Sequence, residues 1–335
     1  MTVEANSLEM TNGKDTGEFH SADTSPDPHI ALELTCAVLA IRDNEPVVLV
    51  VQNEKGADAL PSGRFLPALH SDLETGLRAR VREATELDLG YVEQLGTFSN
   101  RRTRSRGREA AGGTVSIGYL ALMLGGDQLE PPTPGCAWRS VYEFFPWEDW
   151  RQNRPQILSQ DLEPRLKAWA DEAREESSCA SILDLRERLT IAFGIDGARW
   201  DDERVLERYE LLSDAGMLDG ADGRIGRVMR AEHCRILAAG IGRLRAKIRY
   251  RPVVFELMQP EFTLFDLQRT VEAILGPHLH KQNFRRLVES VGLVEPTGEI
   301  RTHTGGRPAR LYRFRREVLL ERPAPGVRVK AIARG

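Results

Sequence analysis

The sequence predicts an α/β chain of the α+β kind: a mixed sandwich over residues 29–154, a helical insertion over 155–226, a connecting helix over 227–250 and a winged helix-turn-helix over 251–320. Three observations carry that expectation. Short β-branched runs surround a single amphipathic helix in the first half. Charged stretches with helical apolar spacing fill the middle. Two helices and a glycine-rich hairpin close the chain, where cations outnumber acids.

In chain order, residues 1–28 are rich in Ser, Thr, Asp and Gly and carry no basic-then-apolar signal pattern, so they are expected to form a disordered tail. "LELTCAVLAIRDNEPVVLVVQN", Leu32 to Asn53, gives two apolar runs broken by a turn, a hairpin signal. "PSGRFLPALHSD" is expected to be a loop. Leu73, Leu77, Val81 and Ala84 then recur at helical spacing, and "YVEQLGTFS" and "TVSIGYLALML" add two strands around the polar loop "NRRTRSRGREAAGG". From Pro155 to Gly226, "DLEPRLKAWADEAREES", "ILDLRERLTIAFG" and "DDERVLERYELLSDAGM" are helical and acidic; Trp169 and Trp200 there suit core anchoring better than binding. A long helix over Val228 to Arg249 connects them to the end of the chain.

The composition excludes several classes. No apolar run approaches the roughly 20 residues that span a bilayer. Cys36, Cys136, Cys179 and Cys234 lie far apart without a CxxC pair, which argues against a disulfide framework or a zinc site; no metal is expected, and a reducing cytoplasmic setting is the default. The net charge of −4 hides an asymmetry: from Thr263 onward 14 Lys and Arg face 7 Asp and Glu, a balance of +7 on a body of −11, ending in a basic tail over 321–335. A basic end on an acidic body suits a polyanion, although it also suits a merely solubilising surface.

Placement of the arginines discriminates. Thr263 and Asp266 have capping-box spacing, and Leu264, Leu267, Val271, Ile274 and Leu275 form one apolar face, ended by Gly276-Pro277. In the next helix Phe284, Leu287, Val288 and Val291 fix the buried stripe, which turns Gln282, Arg286 and Glu289 outward, with Asn283 and Arg285 flanking and His280 and Lys281 at the amino end. Such a second helix offers its outward residues to the major groove, where Arg suits guanine and Asn or Gln suits adenine. "LVEPTGEIRTHTGGRPARLYRFRRE" follows as a wing whose Arg301, Arg307 and Arg310 suit phosphates or a narrow minor groove. DNA is the partner these residues predict, with a homodimer expected because one winged helix covers little of a palindromic site.

The run from "LTCAVLAI" through "LPSGRFLP" to "LDLGYVEQLGTFSN", then "VSIGYLALM", resembles a Nudix domain. Joined to "RLRAKIRYRPVVFELMQPEFTLFDLQRTVEAILG", "NFRRLVESVGLVEPTGE" and "GRPARLYRF", the chain resembles the Nudix-related transcriptional regulators of NAD metabolism, the NrtR-like family, over Ile30–Trp150 and Arg227–Phe314. The resemblance implies a Nudix-like sandwich, a repressor or activator of NAD-metabolism genes with repression expected, and ADP-ribose or a related nucleotide as effector. The insertion lies outside the compact family pattern.

A working Nudix hydrolase carries G-x5-E-x7-R-E-U-x-E-E-x-G-U, with U aliphatic, because its carboxylates hold Mg²⁺ against a pyrophosphate. Aligned on "TELDLGYVEQLGTF", this chain puts Ala79-Arg80 at the R-E and Glu83-Ala84 at the E-E, keeping one carboxylate of three; this is the preferred register. Aligned on Arg82-Glu83 it keeps Glu74, Glu83 and Glu86 but puts Leu87 at the last glutamate. Neither keeps the Glu-Glu pair, so no catalytic residue and no cofactor are expected. The resemblance makes Arg64, Phe65, the loop arginines Arg102 and Arg104, and Tyr119 the candidate effector contacts. The competing readings are an active Mg²⁺-dependent hydrolase of ADP-ribose-like substrates, resting on Glu74, Glu83 and Glu86, and a protein-binding scaffold resting on the insertion.

Overall fold

The computed structural model describes residues 30–52, 56–99, 114–126, 129–176, 183–218, 225–229, 232–302, 308–321 and 326–327. The tail expected over 1–28 and most of the basic tail over 321–335 fall outside them. The first half carries β1 (Ala31–Arg42), β2 (Glu45–Gln52), β3 (Asp58–Ala59), β4 (Ser62–Arg64), α1 (Leu73–Thr85), β5 (Tyr91–Ser99), β6 (Thr114–Leu122), β7 (Cys136–Ser140) and the one-turn α2 (Val141–Phe144). One mixed sheet runs β3-β2-β1-β6-β5, with β4 beside the start of β1 and β7 beside β2; β1 and β6 are parallel and the other pairs antiparallel. Asp43 and Asn44 both have left-handed backbones (φ 52° and 60°), which makes the β1–β2 connection the primed two-residue turn that suits strand twist.

Residues 34–40 of β1 are buried on both faces, as in strands covered above and below. Its odd-numbered Ala37, Leu39 and Ile41 join one core; its even-numbered Leu34, Cys36, Val38 and Ala40 join a second, with Leu77 and Val81 of α1. Three short strands were not anticipated. Ser62–Arg64 sits in the stretch expected to be a loop, because its pairing with Glu33–Thr35 is set by the neighbouring strand rather than by its own Ser-Gly-Arg. Likewise Cys136–Ser140 takes its extended form from β2.

The insertion folds as a π-helical turn (Leu158–Leu162) followed by α3 (Glu163–Glu176), α4 (Leu185–Phe193) and α5 (Val205–Asp214). Leu162, Leu166, Leu189, Phe193, Leu211 and Leu212 bury into the first of the two cores, so the insertion shares the core of the first half of the chain instead of standing apart. Trp200 packs on Trp150 at 4.7 Å between ring centroids. The connecting helix, α6, spans His233–Ile248, five residues shorter at its start than the sequence suggests. Ahead of it, the Arg227 N–H donates to the Glu143 carbonyl at 2.8 Å and its guanidinium to Asp58, which ties that segment to the sheet and delays the helix. α6 lies across the face of the sheet opposite α1, on the side of the first core, with Ile236, Leu237, Ile241 and Leu244 inward.

A 3₁₀ helix (Val253–Leu257) leads into the winged helix: α7 (Leu264–Leu275), α8 (Lys281–Val291), β8 (Val294–Arg301) and β9 (Ala309–Phe314), then α9 (Val318–Glu321). The Thr263–Asp266 capping box forms in both directions, and all five apolar residues expected on α7 are buried. Gly292 ends α8 in the left-handed conformation (φ 64°) that glycine adopts without strain. Tyr312 and Phe262 exchange backbone hydrogen bonds at 2.8 and 3.0 Å, which fastens the wing to the base of α7 and buries Tyr312 beside Leu311.

Candidate functional site

An open pocket of about 480 Å³ lies at the amino end of α1 against β5 and β6, lined by Phe65, Asp72, Leu73, Glu74, Val92, Gln94 and Tyr119. Two expected effector contacts, Phe65 and Tyr119, therefore face the same space. Arg64 does not line it: its side chain is exposed, and its carbonyl accepts from Arg80 Nε at 2.9 Å. Arg102 and Arg104 lie outside the described residues, between β5 and β6 in the sequence. Asp72, Leu73, Val92 and Gln94 escaped the sequence reading, since no linear spacing links a helix cap to a strand. Gly76 lets α1 approach the loop: a Cβ there would lie 2.9 Å from the His70 ring and 3.0 Å from Phe65.

The pocket wall is acidic. Asp72 caps α1, accepting from the Thr75 N–H and hydroxyl (each 2.8 Å) and from Ser71 (2.9 Å), and these bonds, the Thr75 backbone first, hold its carboxyl below the ordinary range. Burial, followed by the charges of Glu74 and Asp72, raises the Tyr119 phenol, so it stays neutral. Carboxylates and a neutral phenol suit the hydroxyls and N–H groups of a nucleoside; phosphates require cations from outside this wall.

The three glutamates of the Nudix reading are each engaged locally on α1. Glu74 takes Arg78 at 2.8 Å, Glu83 takes Arg80 at 2.5 Å, and Glu86 is the left-handed C-cap of α1. Glu74 and Glu83 lie nine positions apart, the spacing the full motif has between its first two glutamates; what both registers lack is the second glutamate of the adjacent pair, whose place Ala84 takes in one and Leu87 in the other. Among the described residues, the carboxylates that do cluster are Asp201, Asp202 and Glu203, far along the chain in the insertion and paired with Arg204 and Arg249. The α1 residues do not fit a divalent ion held for hydrolysis.

β5 is two-sided. Val92 and Gln94 face the pocket, while Tyr91 and Glu93 reach α6: Lys247 Nζ donates to the Tyr91 hydroxyl and to Glu93 Oε2, both at 2.7 Å, and Arg243 donates to Glu93 Oε1 at 3.2 Å. Burial alone would raise the Glu93 carboxyl; Lys247, Tyr91 and Arg243 outweigh it and lower it.

On the winged helix, α8 buries Phe284 and Val288 and exposes Lys281, Gln282, Asn283, Arg285, Arg286 and Glu289, with His280 exposed at its N-cap. Arg285 lies 3.9 Å from Glu289, a loose pairing. Arg310 is exposed on β9; Arg301 is exposed but engaged with Asp266 at 2.9 Å, and Arg307 lies outside the described residues. The sequence reading missed Phe265, half exposed beside α8 with Lys281 and Arg269 over its ring at 5.9 and 6.0 Å. It also missed the clasp of the turn. Buried Glu272 accepts from the Leu279 N–H and from Gln268 Nε2, each at 2.8 Å, and Gln268 also donates to the Leu279 carbonyl at 2.9 Å. That clasp sets the first turn of α8.

Comparison with known proteins agrees with this layout. Residues 254–314 match the family described as the NrtR DNA-binding winged helix domain. The ADPR responsive transcriptional repressor NtrR of Acinetobacter baylyi is 43% identical over 83 residues, 25% of this chain and 33% of that protein, so the chain spans a third of the length of that curated relative. The crystal structure of Shewanella oneidensis NrtR shares the fold at a TM-score of 0.51, with 19% identity over 86% of this chain and 95% of that one. The same protein complexed with a 27mer DNA matches at a TM-score of 0.48 and 22% identity, covering 86% and 94% of the two chains.

Proposed function

We propose that this chain, NrtR-like with its NrtR-family winged helix at residues 254–314 behind a Nudix-like fold, is a DNA-binding transcriptional repressor that senses an ADP-ribose-like nucleotide. The observation that carries the reading is α8: a helix held by a buried clasp, presenting Gln282, Asn283, Arg285 and Arg286 outward from a fold of the NrtR DNA-binding kind. The curated relative's name supports the effector, and the acidic, aromatic pocket supports its nucleoside end. No cofactor is proposed: in neither register does α1 keep the adjacent Glu-Glu pair, and binding without turnover is what a sensor requires. Genes of NAD metabolism are the proposed targets, and a homodimer reading a two-fold operator in the cytoplasm is the proposed working form. No helix among the described residues is long and apolar enough to cross a membrane.

The ligand acts through its differential affinity for the DNA-competent arrangement, typically about 1–3 kcal/mol of coupling. β5 and α6 form the physical route, since one face of β5 meets the pocket and the other holds Lys247 and Arg243. The test is a mobility shift at stated salt on DNA upstream of the protein's own gene and of NAD-synthesis genes, with and without ADP-ribose. A specific shift altered by ADP-ribose is expected. No shift, together with Mg²⁺-dependent ADP-ribose cleavage, would overturn the reading in favour of a hydrolase.

A further inference from the structure

Glu148, in the 3₁₀ turn after α2, is fully buried and binds two buried arginines from different segments. Arg208, from the insertion helix α5, donates through Nε to Glu148 Oε1 at 2.6 Å and through Nη2 to Oε2 at 3.0 Å. Its Nη1 donates to the carbonyls of Ala192 and Asp201 at 2.8 and 2.7 Å, and its guanidinium lies 3.8 Å over the Trp200 ring. Arg245, from α6, donates through Nη1 to Glu148 Oε2 at 2.5 Å and through Nε to the Ile274 carbonyl at 2.9 Å. Beside it, the Tyr142 hydroxyl donates to the Ala273 carbonyl at 2.8 Å; burial pushes that phenol up to about 12, so it remains a donor.

Ala273 and Ile274 occupy the last turn of α7, where helix carbonyls lack helical partners and the dipole favours cations. The winged helix is thus held to the sensor half by two donors on the turn that precedes the recognition helix. A buried ionic cluster is a poor way to gain stability, because its desolvation cost competes with its attraction. It does fix direction, since each fork bond has one geometry.

We propose that Arg208 and Arg245 are positioning residues for DNA binding: Arg208, supplied by the insertion, locks Glu148, Glu148 orients Arg245 on the carbonyl end of α7, and the insertion thereby sets the angle at which α8 is presented. This assigns the insertion a role, and it rests on the DNA-binding reading above.

The test uses the full chain and a duplex that the wild type selects from a random pool, alongside versions with the half-site spacing lengthened or shortened by one base pair. Arg208→Met leaves a neutral Glu148–Arg245 pair. It is expected to lower specific affinity about ten- to a hundredfold, the worth of a charge-assisted hydrogen bond, and to flatten the spacing preference. ADP-ribose binding and salt-dependent non-specific binding should stay unchanged. In hydrogen exchange without DNA, residues 264–291 should exchange faster and residues 31–42 as before. Tyr142→Phe, losing a single bond to α7, should shift in the same direction by less. If Arg208→Met does not fold, Arg208→Lys is measured instead, keeping the charge and losing the fork. An unchanged spacing preference with unchanged exchange over 264–291 would overturn the proposal. A wild type that selects no duplex overturns the DNA reading itself, and exchange alone then decides whether Arg208 orders α7 and α8.

Discussion

Glu272→Ala removes the acceptor at the centre of the helix-turn-helix clasp. In the wild type, Glu272 Oε1 takes the Leu279 N–H and the Gln268 amide, each at 2.8 Å, from a position only 5% exposed. Hydrogen bonds to a charged acceptor contribute about 1.5–3 kcal/mol, and a half-buried donor left without a partner costs about 1–3 kcal/mol. The methyl of alanine leaves both donors without their acceptor; water reaching the partly exposed turn offsets some of that loss. A local destabilisation of about 2 kcal/mol follows, roughly thirtyfold in the opening equilibrium of that turn. Native-state hydrogen exchange at the Leu279 amide is the direct assay, since it reads local opening separately from global unfolding. Glu272→Gln keeps an acceptor oxygen without the charge and should lose about half as much. Specific DNA affinity should follow the same order, wild type above Gln above Ala. Leu279 exchange equal in all three proteins would refute the clasp as the determinant of where α8 begins.

Arg286→Ala, at an exposed position on α8, is expected to lower specific DNA binding by about 1–3 kcal/mol in a mobility shift and to leave ADP-ribose binding unchanged; loss of both would remove Arg286 from base readout. Phe65→Ala, which removes an aromatic wall of the pocket, should weaken ADP-ribose binding in calorimetry without altering DNA binding in the absence of effector. Lys247→Met cuts the tie from α6 to Glu93 and Tyr91, so both ligands should still bind while ADP-ribose no longer changes the DNA shift; intact regulation would exclude this route. Glu148 titrates low: burial would raise its carboxyl, but Arg208 and Arg245 outweigh burial and hold it below the ordinary glutamate range. Its contribution to stability is therefore complete above about pH 4.5 and is lost as pH falls through the lower folded value. A urea-midpoint series at falling pH should reveal that loss in the wild type and a smaller one in Glu148→Gln.

What could be read from the sequence was what is local. The stripe of Phe284, Leu287, Val288 and Val291, the Thr263–Asp266 box and the apolar run of β1 are each determined within a few residues of one another, and each forms as the sequence implies. Strand Ser62–Arg64 was illegible because its extended form is imposed by Glu33–Thr35, about thirty residues earlier. The pocket was half legible: Phe65 and Tyr119 followed from a family resemblance, while Val92 and Gln94 are assigned by which face of β5 meets it. Glu148, Arg208 and Arg245 are separated by 60 and 97 positions, and nothing in the composition of any one segment marks them as partners.

The face that α1 turns to the sheet and the face that would carry hydrolytic carboxylates are made of different residues. Gly76, Leu77, Val81 and Thr85 hold the helix in place; Glu74 and Glu83 stand in exposed pairs of the sort that contribute about 0–1 kcal/mol. Such a helix can drift through acid, base and neutral residues on its outer surface with little change in folding. Substitutions at those outer positions would therefore leave the scaffold standing while changing what its surface can hold.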